Sequence, residues 1–176
     1  GTGLVAGISA GTAAITYTSE GNCTAQTTVT VYPLLTAISG PAQLCLGSEG
    51  VLSDGIPGGQ WESSNTSVAA VDVSGKVTAL SVGTATVSYT LVNSCGKAEL
   101  TISVMPLPFA GTLSGDTTIC TGATSVLNNA VAGGVWTSSN TVVALVDATG
   151  SVTGVKPGKS NIEYTYTNAC GTDKTQ

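Results

Sequence analysis

The sequence predicts an all-β fold built from tandem copies of one small sandwich. Three observations support this prediction. Thr and Val dominate the chain, and their β-branched side chains suit a pleated sheet. The 23 Gly residues provide many possible tight turns. Landmark residues recur at one fixed spacing, and no segment has the periodicity of an amphipathic helix.

Composition excludes several classes of function. Only 9% of the residues are charged, against roughly 25% in an ordinary soluble domain, so Thr, Ser, Asn and Gly must supply the polar surface. The chain has no His and no Arg, and its five lysines form no basic patch that could neutralise phosphates. We therefore expect no nucleic-acid partner. A net charge of −5 and the lack of an apolar run of ~20 residues argue against a membrane surface and against membrane insertion.

An internal repeat organises the whole sequence. Trp61 and Trp136 are 75 residues apart. The same offset relates Cys45 to Cys120, Gly75 to Gly150, Tyr89 to Tyr164, and Cys95 to Cys170. At an offset of 72, Tyr17 and Cys23 match Tyr89 and Cys95. We therefore predict repeats of about 72–75 residues: the C-terminal part of a truncated repeat over 1–33, a complete repeat over 34–106, and a repeat lacking its last strand over 107–176. Such a chain is expected to be a window on a longer polypeptide.

The first half of the complete repeat predicts three strands. Leu34–Leu46 begins the repeat, and Pro41 marks it as an edge strand because proline cannot donate to a sheet ladder. Val51–Leu52 forms a short second strand. A Pro-Gly-Gly turn at 57–59 then leads to a third strand, where Trp61 can fill the middle of a sandwich.

The second half predicts four more strands. Asn65–Val71 is short, and a turn separates it from Val77–Leu80. Thr84–Val92 is the longest strand and alternates apolar residues on one face. Leu100–Val104 closes the repeat. Seven strands in about 70 residues, with a turn signal every 8–12 residues, are typical of a small sandwich.

The recurring aromatic and turn residues have structural interpretations. We expect the aromatics to belong to the cores of the repeats; they are Tyr17, Trp61, Tyr89, Trp136 and Tyr164. The turn-forming residues are Asp72, Gly75, Asp147 and Gly150, where a carboxylate can accept backbone N–H groups. A Ca²⁺ site at the two aspartates is the alternative, but Ca²⁺ needs six to eight oxygens and the acids do not cluster. No metal and no cofactor are expected.

The repeated strings resemble a known family. They are Trp-x-Ser-Ser-Asn over 61–65, Val-Ala-x-Val-Asp over 68–72, Gly-x-Val-Thr over 75–78 and Gly-Thr-Ala-Thr-Val-Ser-Tyr over 83–89. Together they resemble the bacterial Ig-like group 2 family, in particular the cysteine-bearing variant of Bacteroidetes-type surface proteins. The resemblance implies an immunoglobulin-like β-sandwich exported to the cell surface in adhesins, fibres or multidomain secreted enzymes. It brings no catalytic residues.

The five cysteines fall into two positional classes. Cys45 and Cys120 lie at the first turn of a repeat, and Cys23, Cys95 and Cys170 lie at the last hairpin. Metal binding is a poor interpretation because the chain has neither His nor a Cys-x-x-Cys pair. Disulfides in an extracellular, cell-surface or secreted protein are expected instead.

Two pairings of these cysteines are open. Bonds within a repeat would join Cys45 to Cys95 and Cys120 to Cys170. In an antibody-like topology, however, the first turn and the last hairpin lie at opposite ends of the sandwich, too far apart for the ~7 Å Cα limit. In a head-to-tail array these ends abut, so we favour a Cys45–Cys170 bond between repeats. Cys23 and Cys95 would then pair with earlier repeats and Cys120 with a later one; free thiols or bonds between chains are further alternatives.

The sequence favours a structural function. We expect a non-catalytic repeat of a long extracellular bacterial surface fibre, filament or adhesin stalk, stiffened by disulfides. Its partners would be neighbouring repeats of the same polypeptide and, in a fibre, other copies of the chain. The alternative is an accessory or carbohydrate-binding module of a secreted multidomain enzyme. Without His, general acid–base catalysis would fall to carboxylates or lysines, and none of these occupies a recurring paired position.

Overall fold

A computed structural model describes residues 3–91 and 96–176 of the chain. Cys95 and the end of the strand predicted to reach Val92 lie outside the described residues. The chain divides into two compact units, Gly1–Val104 and Met105–Gln176. Within the described ranges the regular structure is all β, and no helix is long and apolar enough to cross a membrane. The predicted fold class is confirmed.

The described residues of the first unit form nine strands. They are β1 (Gly11–Thr18), β2 (Thr24–Val31), β3 (Gln43–Cys45), β4 (Glu49–Val51), β5 (Gly59–Ser63), β6 (Ala69–Val71), β7 (Lys76–Ala79), β8 (Gly83–Leu91) and β9 (Lys97–Met105). From β3 onward they form two sheets, ordered β3-β9-β8-β5 and β4-β7-β6. These sheets form the two layers of a sandwich.

The core of this sandwich comes from the inward faces of both sheets. On β8, the side chains of Ala85, Val87, Tyr89 and Leu91 are all buried, as the period-2 alternation predicts. Val77 of β7 faces them and is 0% exposed. Burying one such side chain fully contributes about 1.5–3 kcal/mol, so this short row supplies a substantial part of the stability of the sandwich.

Two predicted strands are shorter than the sequence suggests. The stretch predicted as Leu34–Leu46 contains one isolated bridge, Ser39 to Ser53, followed by β3. Pro41 has no N–H for a ladder. The stretch predicted as Asn65–Val71 contains only β6, because its start is a turn in which the N–H groups of Val68 and Ala69 both donate to the carbonyl of Asn65 at 3.1 Å.

The first two strands form a separate antiparallel hairpin. Among the strands that the structure describes, β1 pairs only with β2, and all eight of its residues are exposed. Tyr17 is 71% exposed, so the prediction that it belongs to a core is wrong for this structure. Its counterpart Tyr89 is buried because a second sheet covers that face. In the described part of the chain, no second sheet covers the hairpin.

The second unit contains eight strands. They are β10 (Leu113–Ser114), β11 (Thr124–Val126), β12 (Asn128–Asn129), β13 (Val135–Ser138), β14 (Ala144–Val146), β15 (Ser151–Gly154), β16 (Ile162–Asn168) and β17 (Gly171–Thr175). The main sheets are ordered β13-β16-β17 and β11-β15-β14, and β10 pairs with β12. β17 pairs with β16 as β9 pairs with β8. The prediction that 107–176 lacks its last strand is therefore wrong, because the five residues of β17 are enough to form a ladder with β16. Trp136 faces Tyr164 across β13 and β16, just as Trp61 faces Tyr89 across β5 and β8. The two units therefore share one sandwich design.

Candidate functional site

A buried tyrosine links the four-stranded sheet of the first unit to a turn. The hydroxyl of Tyr89 accepts a hydrogen bond from the backbone N–H of Gly59 at 2.7 Å and donates one to the carbonyl of Ile56 at 2.8 Å. Its ring centroid lies 4.6 Å from that of Trp61, within the range of a favourable aromatic pair. The hydroxyl is thus fully occupied by structural hydrogen bonds.

The second unit repeats this arrangement. The Tyr164 hydroxyl accepts from the N–H of Gly134 at 2.6 Å and donates to the carbonyl of Val131. Its ring lies 4.8 Å from that of Trp136. Tyr164 is 3% exposed, whereas Trp61 and Trp136 are half-buried. These aromatics anchor the sandwich, and neither tyrosine offers a free hydroxyl for chemistry.

The first-turn cysteines occupy equivalent turns in the two units. Cys45 is the last residue of β3, and its carbonyl accepts hydrogen bonds from the Ser48 N–H at 2.9 Å and the Ser48 hydroxyl at 2.7 Å. The carbonyl of Cys120 accepts from the N–H of Ala123 at 3.0 Å. The sequence therefore places both cysteines in the same turn, one in each unit.

The last-hairpin cysteine Cys170 lies between β16 and β17. The side chain of Asn168 supports this hairpin at both ends of its amide. Its Oδ1 accepts from the Cys170 N–H at 2.8 Å, and its Nδ2 donates to the carbonyl of Pro106 at 3.1 Å. The hairpin is thereby attached to the segment that enters the second unit.

The described cysteines differ in their oxidation state. Cys45 and Cys170 are both disulfide-bonded. Cys23 and Cys120 are exposed free thiols. One cysteine of each positional class is therefore bonded, and one of each class is free. The pairing favoured from the sequence, which joins Cys45 to Cys170 and leaves Cys23 and Cys120 to other repeats, would give this same division within the chain.

The two turn aspartates use their carboxylates locally. Oδ1 of Asp72 accepts from the Ser74 hydroxyl at 2.7 Å, the Ser74 N–H at 2.8 Å and the Lys76 N–H at 3.0 Å. These bonds, that from the Ser74 hydroxyl most of all, hold the pKa of Asp72 below its ordinary value. Asp147 accepts the same set from Thr149 and Ser151, and its pKa is lowered for the same reason.

The glycines that end these turns have a role that the sequence did not reveal. Gly75 has φ 82° and lies beneath Trp61, so an added Cβ would collide with the carbonyl oxygen of Leu52 and come within 3.1 Å of the indole ring. Gly150 has φ 83°, and a Cβ there would lie 3.0 Å from the ring of Trp136. The recurrence of Gly and Trp at one offset was the available signal for this contact.

A buried polar position differs between the units. In the first unit, Oδ1 of Asp54 accepts from the Ile56 N–H at 2.9 Å, while Oδ2 is buried with no hydrogen-bond partner among the described residues. Its counterpart Asn129 accepts from the Val131 N–H at 2.8 Å and also donates through Nδ2 to the carbonyl of Ala110 at 2.6 Å. The amide satisfies both of its ends, whereas the carboxylate satisfies one.

The second unit also has a shallow depression of about 230 Å³. Its lining includes Leu127, Asn128, Trp136, Thr149 and Tyr164. No carboxylate, lysine or cysteine is among the described residues that line it. Across the described ranges there is likewise no cluster of three or more Cys, Asp or Glu side chains suited to a metal ion.

Comparison with known proteins identifies similar domains. The family model described as bacterial Ig-like domain (group 2) matches residues 51–102 and 114–176. An uncharacterised protein of Clostridium acetobutylicum is 34% identical over 107 residues, which are 56% of this chain and 11% of that protein. The chain thus corresponds to a small part of that relative.

The chain is also similar to two solved structures. Domains 4 and 5 of the S-layer protein SbsC are 17% identical, with a TM-score of 0.41 over 81% of this chain and 97% of that one. An EHEC O157:H7 intimin mutant is 21% identical, with a TM-score of 0.33 over 47% of this chain and 52% of that one.

Proposed function

We propose a structural role for this chain, which belongs to the bacterial Ig-like domain (group 2) family: it is a non-catalytic segment of an extracellular bacterial surface fibre, filament or adhesin stalk. In this proposal, residues 1–33 are the C-terminal part of one repeat, 34–106 are a complete repeat, and 107–176 belong to the next. Each repeat contributes one small core and contacts only its neighbours along the array.

The observation that carries the proposal is the oxidation state of the cysteines. Cys45 and Cys170 are both bonded, whereas Cys23 and Cys120 are free. A Cys45–Cys95 bond would leave Cys170 with no cysteine in the chain to pair with. This elimination supports a Cys45–Cys170 bond, from the first turn of one repeat to the last hairpin of the next.

Such a bond would fix the joint between two repeats. The segment between them contains Pro106 and Pro108, which restrict the backbone. Two prolines do not by themselves prevent the repeats from bending relative to each other. A disulfide requires its Cα atoms to lie within about 7 Å, so it would hold the two turns together. Closing a loop of this length also destabilises the unfolded chain by about 5 kcal/mol in the chain-entropy model.

Several other features support an exported, non-catalytic module. Disulfides persist in oxidising compartments such as the cell exterior. The two tyrosine hydroxyls and the two turn carboxylates are engaged in structural hydrogen bonds. The sequence contains no His to act as a general base near neutral pH.

Peptide mapping under non-reducing conditions tests the joint. We expect oxidised protein to yield a peptide pair linked through Cys45 and Cys170 that separates on reduction. The matched control is Cys120→Ser, which changes a free cysteine in the equivalent turn and should leave the pair intact. A Cys45–Cys95 peptide would contradict the proposal.

Immunogold labelling of intact cells with antibody to the chain tests its surface location. Labelling seen only in permeabilised cells would refute that location.

A further inference from the structure

We propose that the disulfide between repeats carries the stretching load of the array and thereby keeps residues 46–169 out of the load path. This inference rests on the Cys45–Cys170 bond of the proposed function. It adds a mechanical role that a joint need not have. The path of force through the covalent chain depends on the order of the cysteines along the sequence and on the strands beside them.

Tension from the N-terminal side would enter the complete sandwich through β3, which is held weakly. β3 has only three residues, Gln43–Cys45. Beside it, the N–H of Ser103 donates to the carbonyl of Ala42 at 2.8 Å. At the equivalent positions 118–120 of the second unit, the described residues form no strand. Because β3 is so short, tension would separate it from the sheet before reaching the core.

Cys45 lies at the end of this short strand. It is the last residue of β3, so tension from the N-terminal side reaches its sulfur as soon as the strand has been passed. On the other side, Cys170 lies at the tip of the hairpin and is followed directly by β17. The bond therefore bypasses β4 to β16, together with the core residues Val77, Val87 and Tyr164.

In an array with the same pairing, the spacing of the cysteines would keep most of every repeat out of the load path. A last-hairpin cysteine precedes the next first-turn cysteine by 22 residues from Cys23 to Cys45 and by 25 residues from Cys95 to Cys120. Only these short connecting segments would then bear tension as peptide. The rest of each repeat would lie inside a disulfide-closed loop, so the length of a fibre under load would be almost fixed.

Reduction would remove the protection. A dithiol such as dithiothreitol donates two electrons and two protons, the S–S bond breaks to give two Cys thiols, and the dithiol becomes a cyclic disulfide. The 124 residues of 46–169 then join the load path. Fully extended, they span roughly 40 nm.

Single-molecule pulling of the whole chain tests the inference, with handles attached through terminal peptide tags so that no cysteine is consumed. We expect oxidised protein to extend only through the segments outside the loop. Added dithiothreitol, or Cys45→Ser, should increase the total extension by up to roughly 40 nm. Cys120→Ser is the matched control and should extend like the wild type.

Two outcomes separate this inference from the joint on which it rests. If mapping finds the Cys45–Cys170 bond but Cys45→Ser extends no further than the wild type at the same force, the sandwiches resist the load themselves. The load-bearing role is then wrong and the joint stands. If mapping finds a different pairing of Cys45, the joint itself is wrong.

Discussion

The phenolic oxygen of Tyr89 lies 2.7 Å from the backbone nitrogen of Gly59, thirty residues earlier in the chain. The same relationship joins Tyr164 to Gly134 at 2.6 Å. Each glycine begins or directly precedes the strand that carries the tryptophan, so the hydroxyl fixes where the turn ends and the strand begins. A Cβ on Gly59 would lie 2.5 Å from the Tyr89 ring, and this explains why the position under the ring is a glycine.

Tyr89→Phe tests the contribution of this contact. The change leaves the Gly59 N–H and the Ile56 carbonyl without their partner in a partly buried place. We expect a loss of about 1–3 kcal/mol in the free energy of unfolding, measured by urea denaturation. Tyr17→Phe is the matched control because Tyr17 is 71% exposed, and it should change stability by less than about 0.5 kcal/mol. Equal effects of the two variants would contradict this role for the Tyr89 hydroxyl.

Gly75→Ala should be more damaging than Gly47→Ala, although both glycines have φ near 80°. Alanine at either position meets the left-handed backbone cost of about 1–2 kcal/mol. At Gly75 the added methyl would also strike the Leu52 carbonyl and Trp61, whereas nothing lies within 4 Å of a Cβ at Gly47. The difference between their melting temperatures measures the packing cost. Similar melting temperatures would show that the turn moves aside without cost.

Much of the fold could be predicted because the sequence repeats its own landmarks. The sandwich, the family and the alternation of β8 all follow from local patterns that recur at one offset. Tyr17 shows the limit of that reasoning, since it lies in a similar strand pattern to Tyr89 but has no covering sheet among the described residues. Cys45 and Cys120 lie in the same turn but differ in oxidation state. The head-to-tail array favoured from the sequence pairs Cys45 with Cys170 and Cys120 with a later repeat, and this pairing would produce that difference.

Stability should fall in acid partly through the turn aspartates. Their carboxylates accept hydroxyl and backbone hydrogen bonds, so the pKa values of Asp72 and Asp147 are lower in the folded than in the unfolded state. The stabilisation is therefore present above the ordinary value of 3.8 and is lost as the pH falls through the lower folded pKa. Melting temperatures between pH 7 and pH 2 should depend less on pH in Asp72→Ala than in the wild type. Asp116→Ala, outside these turns, is the control, and an equal loss of pH dependence there would refute the assignment.

Asp54→Asn should stabilise the first unit, a direction that few substitutions at a partly buried position share. Oδ2 of Asp54 is buried without a partner among the described residues, and leaving a buried polar atom unpaired costs about 1–3 kcal/mol. At the equivalent position, the amide of Asn129 donates to the Ala110 carbonyl while its oxygen still accepts from Val131. We expect Asp54→Asn to raise the free energy of unfolding by about 1 kcal/mol.

The reciprocal change, Asn129→Asp, should lower the free energy of unfolding by a similar amount, because a carboxylate cannot donate to the Ala110 carbonyl. Urea denaturation of both variants at pH 7 checks the pair; destabilisation by Asp54→Asn would mean that the carboxylate has a favourable partner, and the two positions would then not be equivalent.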